Sequence, residues 1–249
     1  MARKPIIAGN WKMNTTAKSA ADLVEGIKAG GLDAITGVEK ILCPPFPYLP
    51  LVAQAVAGTS LRVGAQNLFW EEKGAFTGEV SAAMLQDFAT HVIIAHSERR
   101  AYFGETDETA NKKVRAALAI GLTPILCVGE TGSERQADQT RDVLRRQVRG
   151  GLEGIEFPAS GVIAYEPVWA IGTGVAATAA DANDAIGFIR NEARALIGAV
   201  ADDVRILYGG SVTPANVAEL VGQPEVDGGL VGGASLVAQS FIDMVKAIG

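Results

Sequence analysis

Three polar residues that could carry out acid–base chemistry follow apolar, strand-like runs: Lys12 follows the first run, His96 the fourth and Glu166 the sixth. An acidic residue that ends an apolar strand is costly to bury without a purpose, so Glu166 is a candidate base, with a salt bridge to a neighbouring loop as the alternative. Taken alone, Lys12 is typical of a solvated surface, and His96 is as typical of a hydrogen-bonded core as of a catalyst. Together, the carboxylate could remove a carbon-bound proton, the imidazole could serve the oxygens and the lysine could stabilise an enediolate.

The residues after His96 bear on its protonation. Ser97 and Glu98 predict the start of a short helical turn. The positive end of a helix dipole beside the imidazole would lower the pKa of His96.

Two glycine pairs follow the seventh and eighth apolar runs, at Gly209-Gly210 and Gly232-Gly233. Each pair leads into a helical pattern, and glycine lets backbone N–H groups approach an anion without a Cβ in the way. A single pair could simply serve a turn, but two pairs at these strands match the phosphate site of closed α/β barrels. The whole set of groups suits proton transfer beside a carbonyl on a small phosphorylated substrate.

Eight short runs of apolar and β-branched residues could position these groups. They lack polar alternation, which indicates strands that are buried on both faces, as in a parallel sheet. The runs are Pro5–Gly9, Val38–Cys43, Leu61–Ala65, His91–Ala95, Leu122–Val128, Gly161–Tyr165, Val204–Tyr208 and Gly228–Val231.

Helical patterns separate these runs. The clearest has apolar residues at three- and four-residue steps from Ala182 to Val200, and Thr178 with Asp181 is typical of its N-terminal cap. The alternation of strands and helices without a linker predicts an α/β fold, a single closed (β/α)8 barrel of eight parallel strands with an outer ring of helices, in one domain over 1–249. An open doubly wound sheet is the rival, but its G-x-G-x-x-G fingerprint is missing from the first turn.

The composition excludes several classes of function. Apolar residues make up 48% and charged residues 20% of the 249 residues, which favours a sizeable core. A net charge of −6 argues against a nucleic-acid or anionic-membrane surface. The two cysteines, Cys43 and Cys127, form no CxxC pair, and the sequence has no signal-peptide pattern and no apolar stretch near ~20 residues, so we expect a cytoplasmic protein. Because no metal-ligand spacing and no nucleotide fingerprint is evident, we expect neither a metal nor a cofactor.

Six motifs along the chain resemble those of triosephosphate isomerases. They occur in family order from residue 9 to residue 234, so the resemblance covers nearly the whole chain. The motifs are GNWKMN at 9–14, GAFTGE at 74–79, AHSERR at 95–100, AYEPVWAIGTG at 164–174, YGGSV at 208–212 and DGGLVGGA at 227–234.

The resemblance implies a TIM barrel that interconverts dihydroxyacetone phosphate and D-glyceraldehyde 3-phosphate, in glycolysis and gluconeogenesis, without a cofactor. Glu166 would be the base. His96, in the neutral form that is established for this family, would be the electrophile that shuttles a proton between the oxygens. Lys12 would hold the substrate and stabilise charge, Asn10 would orient the carbonyl side, and Glu98 would place the Lys12 and His96 side chains.

The same resemblance implies a phosphate site and a lid. Backbone N–H groups would reach the phosphate from a set of four residues, Gly172, Ser211, Gly232 and Gly233. Ile171 and Leu230 would cover Glu166 with apolar surface and raise its basicity when water leaves. The lid would span 167–177, and its end at Val175-Ala176-Ala177 lacks the lysine of many relatives, which bears on its opening rate and not on the chemistry.

The segment Gln66–Glu79 is long for a connection between a strand and a helix, and its tip carries the apolar ring of Phe76. By resemblance it would dock beside a neighbour's active site and bring Thr77 close to Asn10 and His96. We therefore expect a homodimer, with a tetramer as the open alternative.

Two other functions stay open on the residues alone. Another phosphate-binding barrel enzyme, such as one acting on phosphoribosyl substrates, would share the glycine pairs but not the combination of Lys12, His96 and Glu166. A barrel that only binds ligands would be indicated by the loss of one of those three residues, and the sequence retains all three.

Overall fold

Eight parallel strands close into a barrel in the computed structural model of the chain, which describes residues 3–171 and 177–249. The last strand pairs with the first, with Ile6 opposite Gly228, so the closed barrel is confirmed and the open sheet is excluded. The strands are β1 (Ile6–Asn10), β2 (Glu39–Cys43), β3 (Leu61–Ala65), β4 (His91–Ile94), β5 (Thr123–Val128), β6 (Val162–Tyr165), β7 (Arg205–Tyr208) and β8 (Gly228–Val231). Each boundary lies within one residue of its prediction. Asn10, which was expected just after the first strand, is its last residue.

Helices surround the barrel in the predicted alternation. In the described residues they are α1 (Ala17–Lys28), α2 (Leu49–Ala55), α3 (Ala82–Leu85), α4 (Ser97–Tyr102), α5 (Asp107–Ala119), α6 (Gly132–Gln136), α7 (Thr140–Leu152), α8 (Ala179–Ile197), α9 (Val217–Val221) and α10 (Ala238–Ile248). The cap of α8 is the predicted one, because the Thr178 hydroxyl accepts a hydrogen bond from the N–H of Asp181 at 3.1 Å. Its apolar stripe is buried against the barrel, and the helix ends at Gly198, whose φ of 69° is left-handed.

The core has two layers, which explains why the strands lack polar alternation. One layer fills the barrel, with side chains such as Ile6, Ile41 and Ile125, and includes both cysteines. The other layer lies between the strands and the helices. Burial raises the pKa of the Cys43 thiol to about 12, so this cysteine is a core residue rather than a reactive thiol.

Within residues 3–171 and 177–249, none of the helices is long and apolar enough to cross a membrane.

Candidate active site

A cavity of about 230 Å³ opens at the C-terminal ends of the strands, where the predicted polar residues gather. Eight of the predicted residues line it: Asn10, Lys12, His96, Ile171, Ser211, Leu230, Gly232 and Gly233. Glu166, Glu98 and Thr77 lie outside this lining. Gly172 and the other lid residues at 173–176 lie outside the described residues.

The candidate base lies beside the cavity rather than in it. Glu166 follows β6, is 1% exposed and donates its backbone N–H to the carbonyl of Val128 at 2.8 Å. Its Oε2 accepts the backbone N–H of Ser97 at 2.8 Å. Its Oε1 lies 2.8 Å from Nε2 of His96.

The pKa of the Glu166 carboxyl reflects both its burial and its polar partners. Burial raises the pKa of its carboxyl, but His96 and the N–H of Ser97 lower it further, so the pKa lies below the ordinary value. In this arrangement the carboxylate rests on polar partners, and the rise in basicity expected when water leaves stays a prediction. Ile171 and Leu230 line the cavity, and their covering of Glu166 also stays a prediction.

His96 is the N-cap of α4, as the sequence indicates. Its Nδ1 accepts the backbone N–H of Glu98 at 3.2 Å. Since a nitrogen that accepts a hydrogen bond carries no proton, the proton of the neutral ring is assigned to Nε2. Burial lowers the pKa of His96, but the Glu166 carboxylate beside it raises that pKa further and the net direction is upward. The pKa of His96 is therefore not lowered, as the helix dipole alone predicts, but raised, because the Glu166 carboxylate lies next to the ring.

Lys12 has a left-handed backbone, with φ at 53°. Such a conformation costs an L-residue roughly 1–2 kcal/mol, and two side chains stabilise it here. Oδ1 of Asn10 accepts the N–H of Lys12 at 3.0 Å, and Nε2 of Gln66 donates to its carbonyl at 3.0 Å. The ammonium Nζ donates to Oε1 of Glu98 at 2.5 Å, so Glu98 contacts Lys12 as predicted. Oε2 of the same carboxylate lies 3.6 Å from Nδ1 of His96.

The glycine pairs lie at the cavity, and one of them is also required by packing. A Cβ on Gly209 would lie 2.9 Å from Cγ of Glu166, and one on Gly210 would lie 2.2 Å from the Tyr208 hydroxyl oxygen. In contrast, a Cβ on Gly233 would meet no atom within 4 Å. Gly209 thus makes room for the candidate base and Gly210 for the Tyr208 hydroxyl, in addition to the phosphate role that the sequence suggested.

Thr77 is not part of the cavity of its own chain. It is exposed in a loop where the rings of Phe69 and Phe76 pack with centroids 4.8 Å apart. Lys113 anchors the start of this loop, since its Nζ donates to Oδ1 of Asn67 at 2.7 Å.

Glu130, which the sequence patterns did not single out, anchors the start of the predicted lid. This residue is fully buried and accepts hydrogen bonds from the Tyr165 hydroxyl at 3.2 Å and from Nε1 of Trp169 at 2.8 Å. The guanidinium of Arg135 stacks 4.2 Å from the centre of the Trp169 ring. Glu130 follows the apolar run of β5 much as Glu166 follows that of β6, so the same argument about the cost of burial would have found it.

Comparisons with known proteins agree with this geometry. The family model described as triosephosphate isomerase matches residues 5–248. A triosephosphate isomerase of Moorella thermoacetica is 54% identical over 247 residues, which cover 98% of both chains. One of Dehalococcoides mccartyi is 55% identical over 98% of this chain and 97% of its own. The crystal structure of triosephosphate isomerase from Bartonella henselae superposes with a TM-score of 0.89 at 39% identity and covers 98% of each chain.

Proposed function

We propose catalytic and binding roles for the site residues of this chain, which belongs to the triosephosphate isomerase family. The chain interconverts dihydroxyacetone phosphate and D-glyceraldehyde 3-phosphate by proton transfer through an enediolate. One observation carries the assignment of roles. Lys12 and His96, which follow two different strands, line one cavity with two glycine pairs, and Glu166, which follows a third strand, lies against His96 beside it.

Glu166 removes the proton from the substrate carbon after its side chain turns from Ser97 towards the cavity. At its present position the carboxylate is stabilised by the Ser97 N–H and by His96. When it turns, it loses these partners and meets the apolar side chains of Ile171 and Leu230. Desolvation then dominates and the pKa of the carboxyl rises, which makes it the stronger base that the reaction needs.

His96 serves the substrate oxygens through its Nε2–H. Its Nδ1 accepts the N–H of Glu98, which leaves the proton of the neutral ring on Nε2, where a substrate oxygen can accept it. Lys12 supplies the positive charge that stabilises the enediolate oxygens. The orientation of Asn10 leaves its Nδ2 as the donor for the carbonyl side, because Oδ1 is taken by the backbone of Lys12.

The phosphate binds to backbone N–H groups of Ser211, Gly232 and Gly233 at one end of the cavity. Glycines allow this close approach because no Cβ intervenes. The N–H of Gly172 completes the site from the lid, 167–177, whose near end is fixed by the contact between Trp169 and Glu130.

Replacing Glu166 with Gln tests the base. The amide keeps an oxygen that can accept from Ser97, so the fold should persist while turnover falls by at least ~10²–10⁴-fold. The assay is coupled conversion of glyceraldehyde 3-phosphate, with the exposed Glu156→Gln as the matched control. A folded Glu166→Gln protein with near-normal kcat would assign the base to another residue. Failure of the unaltered chain to convert this substrate would favour a different phosphate-binding barrel enzyme.

The active form is a homodimer joined through the segment 66–79. A groove of about 300 Å³ beside the cavity is lined by Met13, Phe46, Glu98 and Phe103. Met13 is 97% and Phe103 66% exposed in the single chain, and such apolar surface is typical of a protein interface. The tip with Thr77 of one subunit fills this groove on the other and lies beside Asn10 and His96.

Thr77→Arg tests this assembly, because a long charged side chain at the tip should not enter an apolar groove. We expect a monomer in sedimentation at micromolar concentration and a kcat at least ~10-fold lower, since the groove borders the catalytic residues. Ala159→Arg, which adds the same charge at an exposed site elsewhere, should remain a fully active dimer. A fully active monomer would rule out the contribution of the partner's loop.

We further propose that the chain is a single domain that works in the cytoplasm on a small triose phosphate. The net charge of −6 supports the expectation that it binds neither nucleic acid nor an anionic membrane.

A further inference from the structure

One buried hydroxyl group lies directly behind the glycine pair at the end of β8. Ser235 is 0% exposed, and its Oγ donates to the carbonyl of Gly232 at 2.7 Å. The backbone N–H of Ser235 donates to the same oxygen at 2.9 Å. One carbonyl therefore accepts two hydrogen bonds from a residue that cannot touch the substrate.

The position of Ser235 is fixed by its neighbours. A Cβ added to Gly9 of β1 would lie 2.9 Å from Cβ and 3.2 Å from Oγ of Ser235, and 3.4 Å from the ring of Phe241. The serine thus fits closely between β1 and α10. The hydroxyl holds the Gly232 carbonyl from the core side of the loop.

This hydrogen bond orients the peptide unit between Gly232 and Gly233. In a planar trans peptide the N–H points opposite to the C=O. Because the carbonyl of Gly232 points to the buried Ser235, the N–H of Gly233 points away from the core, at the rim where Gly233 lines the cavity. Two adjacent glycines have the backbone freedom to reverse this unit, and reversal would direct a carbonyl oxygen at the phosphate.

The loop after β7 has a similar arrangement. Nδ2 of Asn216 donates to the carbonyl of Ser211 at 2.9 Å, and its Oδ1 accepts the N–H of Thr213 at 2.8 Å. Neither Asn216 nor Ser235 lines the described cavity, whereas Ser211, Val212 and Thr213 do. In both loops a side chain outside the cavity holds a carbonyl that would repel an anion.

We propose that Ser235 and Asn216 are positioning residues of the phosphate site, which hold the carbonyls of Gly232 and Ser211 away so that only N–H groups face the phosphate. This inference rests on the proposed phosphate site. It assigns to two side chains that never contact the ligand the task of keeping the backbone in its anion-binding orientation.

Ser235→Ala tests the proposal with inorganic phosphate as the probe. Loss of one hydrogen bond should raise both the Ki of phosphate as a competitive inhibitor and the KM of glyceraldehyde 3-phosphate by about 3- to 10-fold. The kcat/KM for D-glyceraldehyde, which has no phosphate group, should stay within about twofold because its turnover does not use these N–H groups.

Thr59→Val is the matched control. The hydroxyl and the N–H of Thr59 both bind the carbonyl of Val56, at 2.8 and 3.0 Å, in the same i to i−3 arrangement but at the far end of the barrel. This variant should match the unaltered chain in all three measurements.

The outcomes separate the proposals. An unchanged Ki for phosphate in Ser235→Ala, or an equal loss with D-glyceraldehyde, would overturn the positioning role. If phosphate did not compete with substrate in the unaltered chain, the proposed phosphate site itself would fail. Should Ser235→Ala not fold, Asn216→Ala carries the same expectations, and an unchanged Ki there would equally refute the inference.

Discussion

Gly209 leaves room for the candidate base, and adding one methyl group there should disturb Glu166 selectively. The new Cβ of Gly209→Ala would lie 2.9 Å from Cγ of Glu166 and 3.1 Å from the carbonyl oxygen of Tyr165. The first contact is with a side chain, which can shift, and not with backbone. The fold should therefore survive while the carboxylate is displaced.

The size of the effect follows from the geometry. A separation of 2.9 Å is about 0.5 Å short of the 3.4 Å at which ordinary contact begins, so the side chain must move by roughly that amount. Since a 1 Å misplacement of a reacting group can cost ~10²-fold in rate, we expect kcat to fall about 10-fold. Overpacking of this kind should lower the free energy of unfolding by about 1–3 kcal/mol.

Alanine substitutions at two other glycines serve as controls. A Cβ on Gly37 would meet no atom within 4 Å, so Gly37→Ala should change neither stability nor rate. A Cβ on Gly129 would lie 1.7 Å from the backbone oxygen of Glu166, so Gly129→Ala should not fold normally. The measurements are kcat, the Ki of phosphate and thermal unfolding of each variant.

A comparison of kcat for the two substrates with the Ki of phosphate tests whether Glu166 is displaced. If Glu166 is displaced, kcat should fall by the same factor for glyceraldehyde 3-phosphate and D-glyceraldehyde, with an unchanged Ki for phosphate. A folded Gly209→Ala protein with normal kcat would show that the clash is relieved without moving the base. A raised Ki with normal kcat would place the effect in the phosphate loop instead.

Two further predictions concern the N-terminal end of the barrel, far from the cavity. His91, whose Nε2 lies 3.3 Å away, and Arg205 lower the pKa of the Glu39 carboxyl from 4.5 to about 2. The ionised carboxylate therefore stabilises the folded chain above pH 4.5, and this contribution is lost as the pH falls through about 2. In denaturant titrations from pH 5 to pH 2, the free energy of unfolding of the unaltered chain should therefore fall by up to about 3 kcal/mol more than that of Glu39→Gln. An equal fall in both proteins would contradict this. Arg190 is 3% exposed and donates five hydrogen bonds, three of them to main-chain carbonyls that a lysine could not reach together. Arg190→Lys should lower the free energy of unfolding by about 2–4 kcal/mol and Tm by roughly 5–15 °C with kcat unchanged, and a Tm within 2 °C of the unaltered chain would contradict this.

The strands could be predicted because their physical cause is local. Runs such as Val162–Tyr165 are apolar and buried on both faces, and only a strand between two packed layers uses such a run fully. The cap at Thr178 is equally local, since it depends on residues three apart. Neither prediction required knowledge of contacts between distant parts of the chain.

The protonation of the site could not be predicted, because it depends on contacts between distant parts of the chain. The helix after His96 was expected to lower the pKa of its ring, but the carboxylate of Glu166, 70 residues further along, lies 2.8 Å away and reverses the direction. Similarly, Gly209 was assigned to phosphate binding alone, because its contact with Glu166 exists only in the folded barrel.

The first turn of α4 contacts all three candidate catalytic side chains and holds them in place. The N–H of Ser97 holds Glu166, the N–H of Glu98 holds Nδ1 of His96, and the Glu98 carboxylate holds Lys12. In the present arrangement Glu166 and His96 each stabilise the charged form of the other, so the pKa of the acid is lowered and that of the imidazole is raised. In the proposed mechanism, a rotation of Glu166 away from Ser97 would remove these mutual effects, so that desolvation would raise the pKa of the carboxyl and lower that of the ring, against which Glu98 alone would still act. We expect the same movement to produce the stronger base and to favour the neutral imidazole.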